Sequence, residues 1–394
     1  MKLSENISDL RNFAQIDLGA LIHNYKLIRS FLPDAASGIC AVVKADAYGH
    51  GAAECARALE PYVDYFACAD FYEAAALREN GIYSPILLLG VTPVSHARAM
   101  ATLGITQTVP SLEYARELSE ALSQEDILKV HLKLDTGMSR LGFLPSAENF
   151  ISLVSSAVSL KNLDFEGVFT HLADADDLFS EFTGVQLSMF YSALSSLWKA
   201  GIKFKYRHFA NSAACCRHLS EMYEHNFPGA SYGSLLFRPG IMLYGSYPSA
   251  DIKALVERAD CSLKPVMSLC ARVVRIHEIK SGESVGYNRT FCARRDSRIA
   301  VIAAGYADGI PRAFSNRVSL ISPECRVTGN VCMDMLFLDI TDMKSPPNEG
   351  DFVTLFGPGS DISADRLSYE CGTISYELFC RVSARVKRIY TPAT

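Results

Sequence analysis

Ile39-Cys40-Ala41-Val42-Val43-Lys44-Ala45-Asp46-Ala47-Tyr48-Gly49-His50-Gly51 is the stretch that decides the fold. Its first five residues are all apolar. A run with no polar face reads as a strand covered on both sides, as in a parallel sheet. A lysine ends the run, and two glycines then open a helix. Similar apolar runs recur near 65–69, 86–89, 105–109, 128–134, 165–170, 206–210 and 241–244. Helical patterns fill most of the gaps: Ser111 to Ser123, Ser146 to Leu160 and Phe179 to Ala200. Strands alternating with helices predict parallel strands with helices on the outside. Eight such units fit a closed (β/α)8 TIM-type barrel. An open doubly wound sheet accepts the same alternation, but no G-x-G-x-x-G follows the first strand.

Upstream, Leu18, Leu21, Ile22, Tyr25, Ile28 and Leu32 recur at helical spacing before Pro33. Downstream of about residue 246 the texture changes. Segments 266–279, 297–305, 317–321, 325–340 and 351–357 are rich in Val, Ile and Leu. Turn clusters such as Lys280-Ser281-Gly282-Glu283 and Asn348-Glu349-Gly350-Asp351 separate them, and helical patterns are sparse until about Ala364. The sequence thus predicts an α/β chain: a barrel over 15–245, then a mainly β domain over 246–394, with residues 1–14 free to join the latter. The length of 394 residues suits two domains.

Composition narrows the function classes. A formal net charge of -5 gives no reason to expect nucleic acid or an acidic membrane surface as partner. The polar start MKLSENISDLRNF has no apolar h-region, and the longest apolar runs are too short to span a bilayer. The twelve cysteines are scattered through apolar patterns without a C-x-x-C pair. Reduced thiols in a cytoplasmic protein, with no metal, are the expectation.

Lys44 lies where a barrel strand reaches its C-terminal mouth, the rim on which catalytic residues sit. A lysine partly withdrawn from water there has a lowered pKa, which suits covalent capture of an aldehyde. On this fragment alone, a strand-end lysine reaching out to solvent is the commoner arrangement. The wider pattern decides. The stretch around Lys44 resembles the cofactor-lysine motif of the alanine racemase family, fold-type III pyridoxal enzymes. In the same order follow LKLDTGMSRLG (132–142), GVFTHLA (167–173), Ala210-Asn211-Ser212-Ala213, RPGIMLYG (238–245), Val285-Gly286-Tyr287, Gly305-Tyr306-Ala307-Asp308-Gly309, Cys332-Met333-Asp334 and Thr373-Ile374-Ser375-Tyr376. The resemblance runs from about Gln15 to the C-terminus.

That resemblance implies pyridoxal 5'-phosphate as cofactor and racemisation of alanine by two bases. Lys44 matches the lysine that binds the cofactor and serves as base on one face of Cα. Tyr287 matches the base on the opposite face. A tyrosine ordinarily titrates near pH ~10 and needs help to act at neutral pH; the family supplies it through residues matched by His171 and Arg238. Arg238 also matches the arginine facing the pyridine nitrogen, where a permanent cation discourages protonation. Asn211, Ser212, Gly240 and Ile241 fall where barrels often bind phosphate, with Ser212 a candidate helix cap. Tyr48 and Tyr376 match tyrosines that reach the phosphate. Arg140 matches an arginine at the substrate carboxylate, and Met333 a pocket residue given by the β domain. Lys133 matches a lysine often carbamylated in the family; a plain lysine stays open beside the carbamate.

If the family geometry holds, Tyr287 and Met333 serve the site of a partner subunit, which implies a homodimer with composite active sites. Three departures stand out. Asp46 occupies a position where many relatives have asparagine, Asn288-Arg289 replaces a glycine-rich pair, and Ser139 replaces a frequent glycine. A racemase of serine or another small amino acid remains an alternative, since an apolar pocket rejects an added hydroxyl poorly. A decarboxylase of the same fold type fits less well. A non-enzymatic pyridoxal-phosphate carrier built on the barrel alone would lack everything after residue 246.

Overall fold

The computed structural model describes residues 6–32, 37–217 and 232–392. Pro33 and residues 1–5 of the polar N-terminal stretch lie outside the described residues. A first strand, β1 (Asn12–Asp17), leads into the helix Leu18–Ser30, capped by the Asp17 side chain on the Ala20 N–H. Then β2 (Gly38–Val42), β3 (Tyr65–Cys68), β4 (Ile86–Leu88), β5 (Ile105–Val109), β6 (Leu128–Lys133), β7 (Leu163–Phe169), β8 (Tyr206–His208) and β9 (Ser234–Phe237) pair side by side in parallel and close into a barrel. Gly38 meets Leu236 and Ile39 meets Phe237 across the seam. All of β2 is buried, as its unbroken apolar run requires. Serine and aspartate caps set helix starts: Ser111 on Leu112–Ala121 and Asp70 on Phe71–Glu79.

The eighth apolar run is misplaced by the sequence. Residues 241–244 form a buried 3-10 turn, and Ser234–Phe237 closes the barrel instead. A four-residue segment buried on every side has no period to separate strand from turn. Pro239, just before it, has no N–H to donate to a ladder.

The second domain is a seven-stranded sheet. It contains β10 (Met267–Ile279), β13 (Ser297–Ile302), β14 (Arg326–Val327), β15 (Leu336–Asp339), β16 (Phe352–Phe356) and β17 (Lys387–Thr391), with β1 as the seventh. A small hairpin of β11 (Ser284–Val285) and β12 (Phe291–Cys292) stands apart. Phe13 of β1 lies opposite Cys270 on one side and Lys387 on the other. The segment 317–321 gives only an isolated bridge from Ser319 to Arg326, and 325–340 splits into β14 and β15. The C-terminal helices Ala364–Cys371 and Ser375–Arg381 return to the barrel. Arg388 on β17 donates from Nε and Nη2 to the Gly49 carbonyl at 3.0 and 2.9 Å, tying the sheet to the turn after Lys44.

Candidate active site

Parallel strands bring their C-terminal ends to one rim. Lys44 follows β2, Lys133 ends β6, His171 follows β7, Asn211 and Ser212 follow β8, and Arg238 follows β9. A cavity of about 300 Å³ opens there. Lys44, His171 and Arg238 line it together with Asn211, Ser212, Gly240, Ile241 and Tyr48. Tyr376, delivered by the β-domain helix Ser375–Arg381, completes the wall, its ring 5.8 Å from that of Tyr48. A larger cavity, about 480 Å³, lies away from the strand ends near Lys253 and Asp361 and holds none of these groups.

The backbone after Lys44 is strained. Ala45, Asp46, Ala47 and Tyr48 have φ of 53, 53, 54 and 53°, a full left-handed turn without a glycine. Each such residue costs roughly 1–2 kcal/mol, so the surroundings must hold it. Glu73 does so by accepting the N–H of Ala45 and of Ala69, both at 2.7 Å. Asp46 Oδ1 accepts the Ala52 N–H at 2.7 Å. Lys44 is thereby fixed at the end of its strand. Burial and the nearby Arg140 lower the pKa of its ammonium, with Glu73 opposing them.

Arg238 is the hub. It is 3% exposed, and burial pulls its pKa down to about 10. Its Nη2 donates to Thr170 O at 2.9 Å, Phe209 O at 3.2 Å and His171 Nδ1 at 3.2 Å. Its Nη1 donates to His208 Nδ1 at 2.7 Å. A guanidinium has no acceptor, so the His171 nitrogen facing it carries the lone pair and the proton sits on Nε2. Burial and then Arg238 hold the His171 pKa far below the ordinary histidine range, so the ring is neutral with an Nε2–H to donate.

Lys133 is buried beneath, its Nζ donating to Leu134 O at 2.6 Å. Burial, followed by repulsion from Arg238, brings its pKa down to about 7. Arg140 stands exposed at the rim, on a loop folded around Asp135. Oδ1 of Asp135 accepts from Gly137 and Ser139 N–H, and Oδ2 from Arg140 N–H at 3.1 Å. Among the described residues no ion pair is found for Lys44, Lys133, Arg140 or Arg238. Basic side chains gathered without a carboxylate ion-pair partner, Arg238 and Arg140 above all, make a receptacle for anions.

One cap differs from the expectation. Asn211, not Ser212, caps the four-residue helix Ser212–Cys215, accepting the Ala214 N–H. Ser212 is its first residue, and its Oγ accepts the Gly240 N–H at 2.8 Å, linking the loops after β8 and β9. A Cβ on Gly240 would stand 2.5 Å from the Tyr48 hydroxyl, so only glycine leaves this cradle open.

Tyr287 and Met333 are not brought to Lys44. They are 70% and 53% exposed and line a separate cavity of about 420 Å³ with Cys332, Asp334, Met335 and Phe337. Asn330 holds the Tyr287 carbonyl at 2.9 Å, and Arg385 pairs with Asp334 at 2.6 Å. His208, Glu73 and Asp135 were not singled out from sequence. His208 and Glu73 lie inside strand and helix patterns, where periodicity gives a polar residue no role. Asp135 stood within a quoted motif.

Among the described residues no helix is long and apolar enough to cross a membrane. Residues 16–248 match the model of the alanine racemase N-terminal domain, and 266–390 that of the alanine racemase C-terminal domain. The chain is 40% identical over 384 residues to alanine racemase 1 of Clostridium acetobutylicum, covering 96% of this chain and 95% of that protein. It is 39% identical over 385 residues to the alanine racemase of Methanococcus maripaludis, covering 96% and 98%. It superposes on the alanine racemase of Clostridium difficile 630 with a TM-score of 0.87 and 37% identity, over 97% of this chain and 96% of that one.

Proposed function

This chain belongs to the alanine racemase family, an amino-acid isomerase, and on that premise we propose that it interconverts L- and D-alanine by a two-base transfer between Lys44 and the Tyr287 of a second subunit, with pyridoxal 5'-phosphate as cofactor. The observation that carries the proposal is the pairing of Lys44 with the Arg238–His171 contact at one barrel mouth.

The residues fit the cofactor. Lys44 and Arg238 line the cavity, and at the Tyr48–Ser212–Gly240 cradle, our candidate for the phosphate end, a Cβ on residue 240 would crowd the Tyr48 hydroxyl. Asn211, Ile241 and Tyr376 complete that end. When bound, the cofactor draws off the negative charge left at Cα after proton removal. The chain supplies the rest. Lys44, with its pKa lowered, reaches the free-amine form closer to neutral pH and takes or returns the proton on its face. Neutral His171 presents an Nε2–H that can donate to a phenolic oxygen, stabilising its anion. Arg238 holds that tautomer in place. Arg140, at the rim, meets the substrate carboxylate. Lys133, already near its neutral form at pH 7, is poised for carbamylation, which needs the free amine. Tyr376 crowds the wall, which favours a substrate no larger than alanine.

Because Tyr287 and Met333 face solvent on their own chain, the proposal includes a homodimer in which each β domain completes the partner's site. We assign residues 15–245 to the barrel domain and 246–394 to the β domain, with β1 (Asn12–Asp17) pairing into the sheet of the latter. We place the enzyme in the cytoplasm; supply of D-alanine to peptidoglycan is the role that the family resemblance implies. The test is chiral chromatography of L-alanine and L-serine after incubation with purified protein and cofactor. Rapid approach to equal alanine enantiomers with slow serine conversion is the expected result. Serine faster than alanine keeps the chemistry and changes the substrate. No D-isomer of either sinks the proposal.

A further inference from the structure

The Arg238 charge has no carboxylate beside it, yet a buried cation needs compensation. Its second arm leads to one. His208 Nδ1 accepts from Arg238 Nη1 at 2.7 Å, so the His208 proton must be on Nε2. That nitrogen lies 2.8 Å from His131 Nδ1, which must therefore accept. The His131 proton is then on Nε2, which lies 3.8 Å from Glu166 Oε1, too far for a hydrogen bond, so the carboxylate acts on it through its charge. The Tyr65 hydroxyl donates to the same carboxylate oxygen, and Lys129 Nζ lies 3.4 Å from Oε2. Every donor between the guanidinium and the carboxylate points the same way.

We propose that Glu166 is the distant counter-charge of Arg238: a positioning residue that, through His131 and His208, fixes the lone pair presented to the guanidinium. This deepens the racemase reading and rests on Arg238 serving that site.

The barrel is built around the relay. Val130 pairs with Phe165 and His131 with Gly167, leaving Glu166 as the extra residue of a β-bulge between β6 and β7. Bulges re-aim side chains, and Glu166 is 7% exposed as a result. A Cβ on Gly167 would lie 2.6 Å from three atoms of the His131 ring, so the imidazole sits where only glycine admits it. Phe169 stacks on His208 at 4.5 Å and 6°, holding the plane of the second ring. Burial alone would raise the Glu166 pKa, but His131, Tyr65 and Lys129 bring it down to about 2. Burial lowers the pKa of both imidazoles; Glu166 opposes it at His131, and Arg238 adds to it at both. The relay is thus a fixed pair of neutral rings between a permanent cation and a permanent anion.

The test uses holoenzyme carrying ¹⁵N-labelled histidine, with Glu166→Gln and Glu166→Asp as variants. The parent should show His131 and His208 each as a single neutral Nε2–H tautomer. An Nδ1–H tautomer at either ring overturns the proposal without any variant. In Glu166→Gln the His131 Nε2–H resonance should shift and a second tautomer appear. The kcat should fall on the order of tenfold, a size within reach of one nearby buried charge, with KM nearly unchanged. Glu166→Asp, which keeps the charge, should restore most of both readouts. Equal loss in the two variants, or no change in Glu166→Gln, refutes a role for the charge. The parent tautomers are read whether or not alanine racemises, so failure of this assignment and failure of the racemase reading are told apart.

Discussion

Two regions carry the proposed bases, and they are made differently. The barrel mouth is assembled within one chain: Lys44 is held by its strand and by Glu73 on the following N–H, and burial, then Arg140, lowers its pKa. The face around Tyr287 and Met333 is ordered but open. Its backbone is pinned by Asn330 and by the Asp334–Arg385 pair, while its apolar side chains stand in water. On the proposed reading the first region takes a small anionic ligand and, from a second subunit, the partner's Tyr287 and the partner's Met333. On the same reading the second is covered by another protein surface. Convergence of strand ends builds the one, and in the proposed homodimer symmetry supplies the other.

The largest test of this contrast is Lys44→Ala. It should reduce racemisation by at least about 10³-fold, the upper range for a positioned base, and abolish the visible absorbance of covalently held cofactor. A variant that keeps that band breaks the assignment of Lys44. In the parent, the rate should climb as pH rises through the lowered pKa of Lys44, because the free amine is the active form.

Tyr287→Phe should come next, with a loss of about 10²–10³-fold in racemisation and the cofactor still bound. The α-proton of one enantiomer should still exchange with deuterium from solvent, while that of the other should not. Mixing Lys44→Ala with Tyr287→Phe subunits should restore one intact site per heterodimer. No recovery in mixtures shown to have exchanged subunits would mean that the open face does not serve a partner's mouth.

What was legible in the sequence follows the same division. Seven barrel strands announced themselves as short, largely apolar runs between helix patterns, and the eighth failed because Ile241–Tyr244 is just as apolar and is buried throughout. Residues at strand ends were found through ordered motifs. The interior relay was not, since a histidine in the middle of Leu128–Lys133 or a glutamate in Leu163–Phe169 reads as an interruption. Only the bulge, invisible in sequence, turns Glu166 inward. Three departures from the family pattern gain a common meaning. Asp46, Ser139 and the Asn288-Arg289 pair all have positive φ, at 53, 56, 61 and 52°. Glycine and asparagine are the residues that tolerate this region best, so the family's usual choices there are conformational.

The smallest prediction turns that observation against the two regions. Ser139→Gly should stabilise the protein by a few tenths to about 1 kcal/mol, since relief of left-handed strain exceeds the added freedom of the unfolded chain. Its backbone N–H, which reaches Asp135, survives the change. Arg289→Gly should gain somewhat less, because it gives up the Nε contact to Ser284 on an exposed surface. Asp46→Gly relieves the same strain at a nearly identical φ, yet it deletes the carboxylate that accepts the Ala52 N–H. Losing a cap-like bond of this kind costs about 1 kcal/mol, so the net change there should be near zero or unfavourable. Thermal unfolding of the three variants orders them directly. If Asp46→Gly proves the most stabilising, the turn after Lys44 is held by Glu73 and Arg388 alone, and Asp46 contributes strain without support.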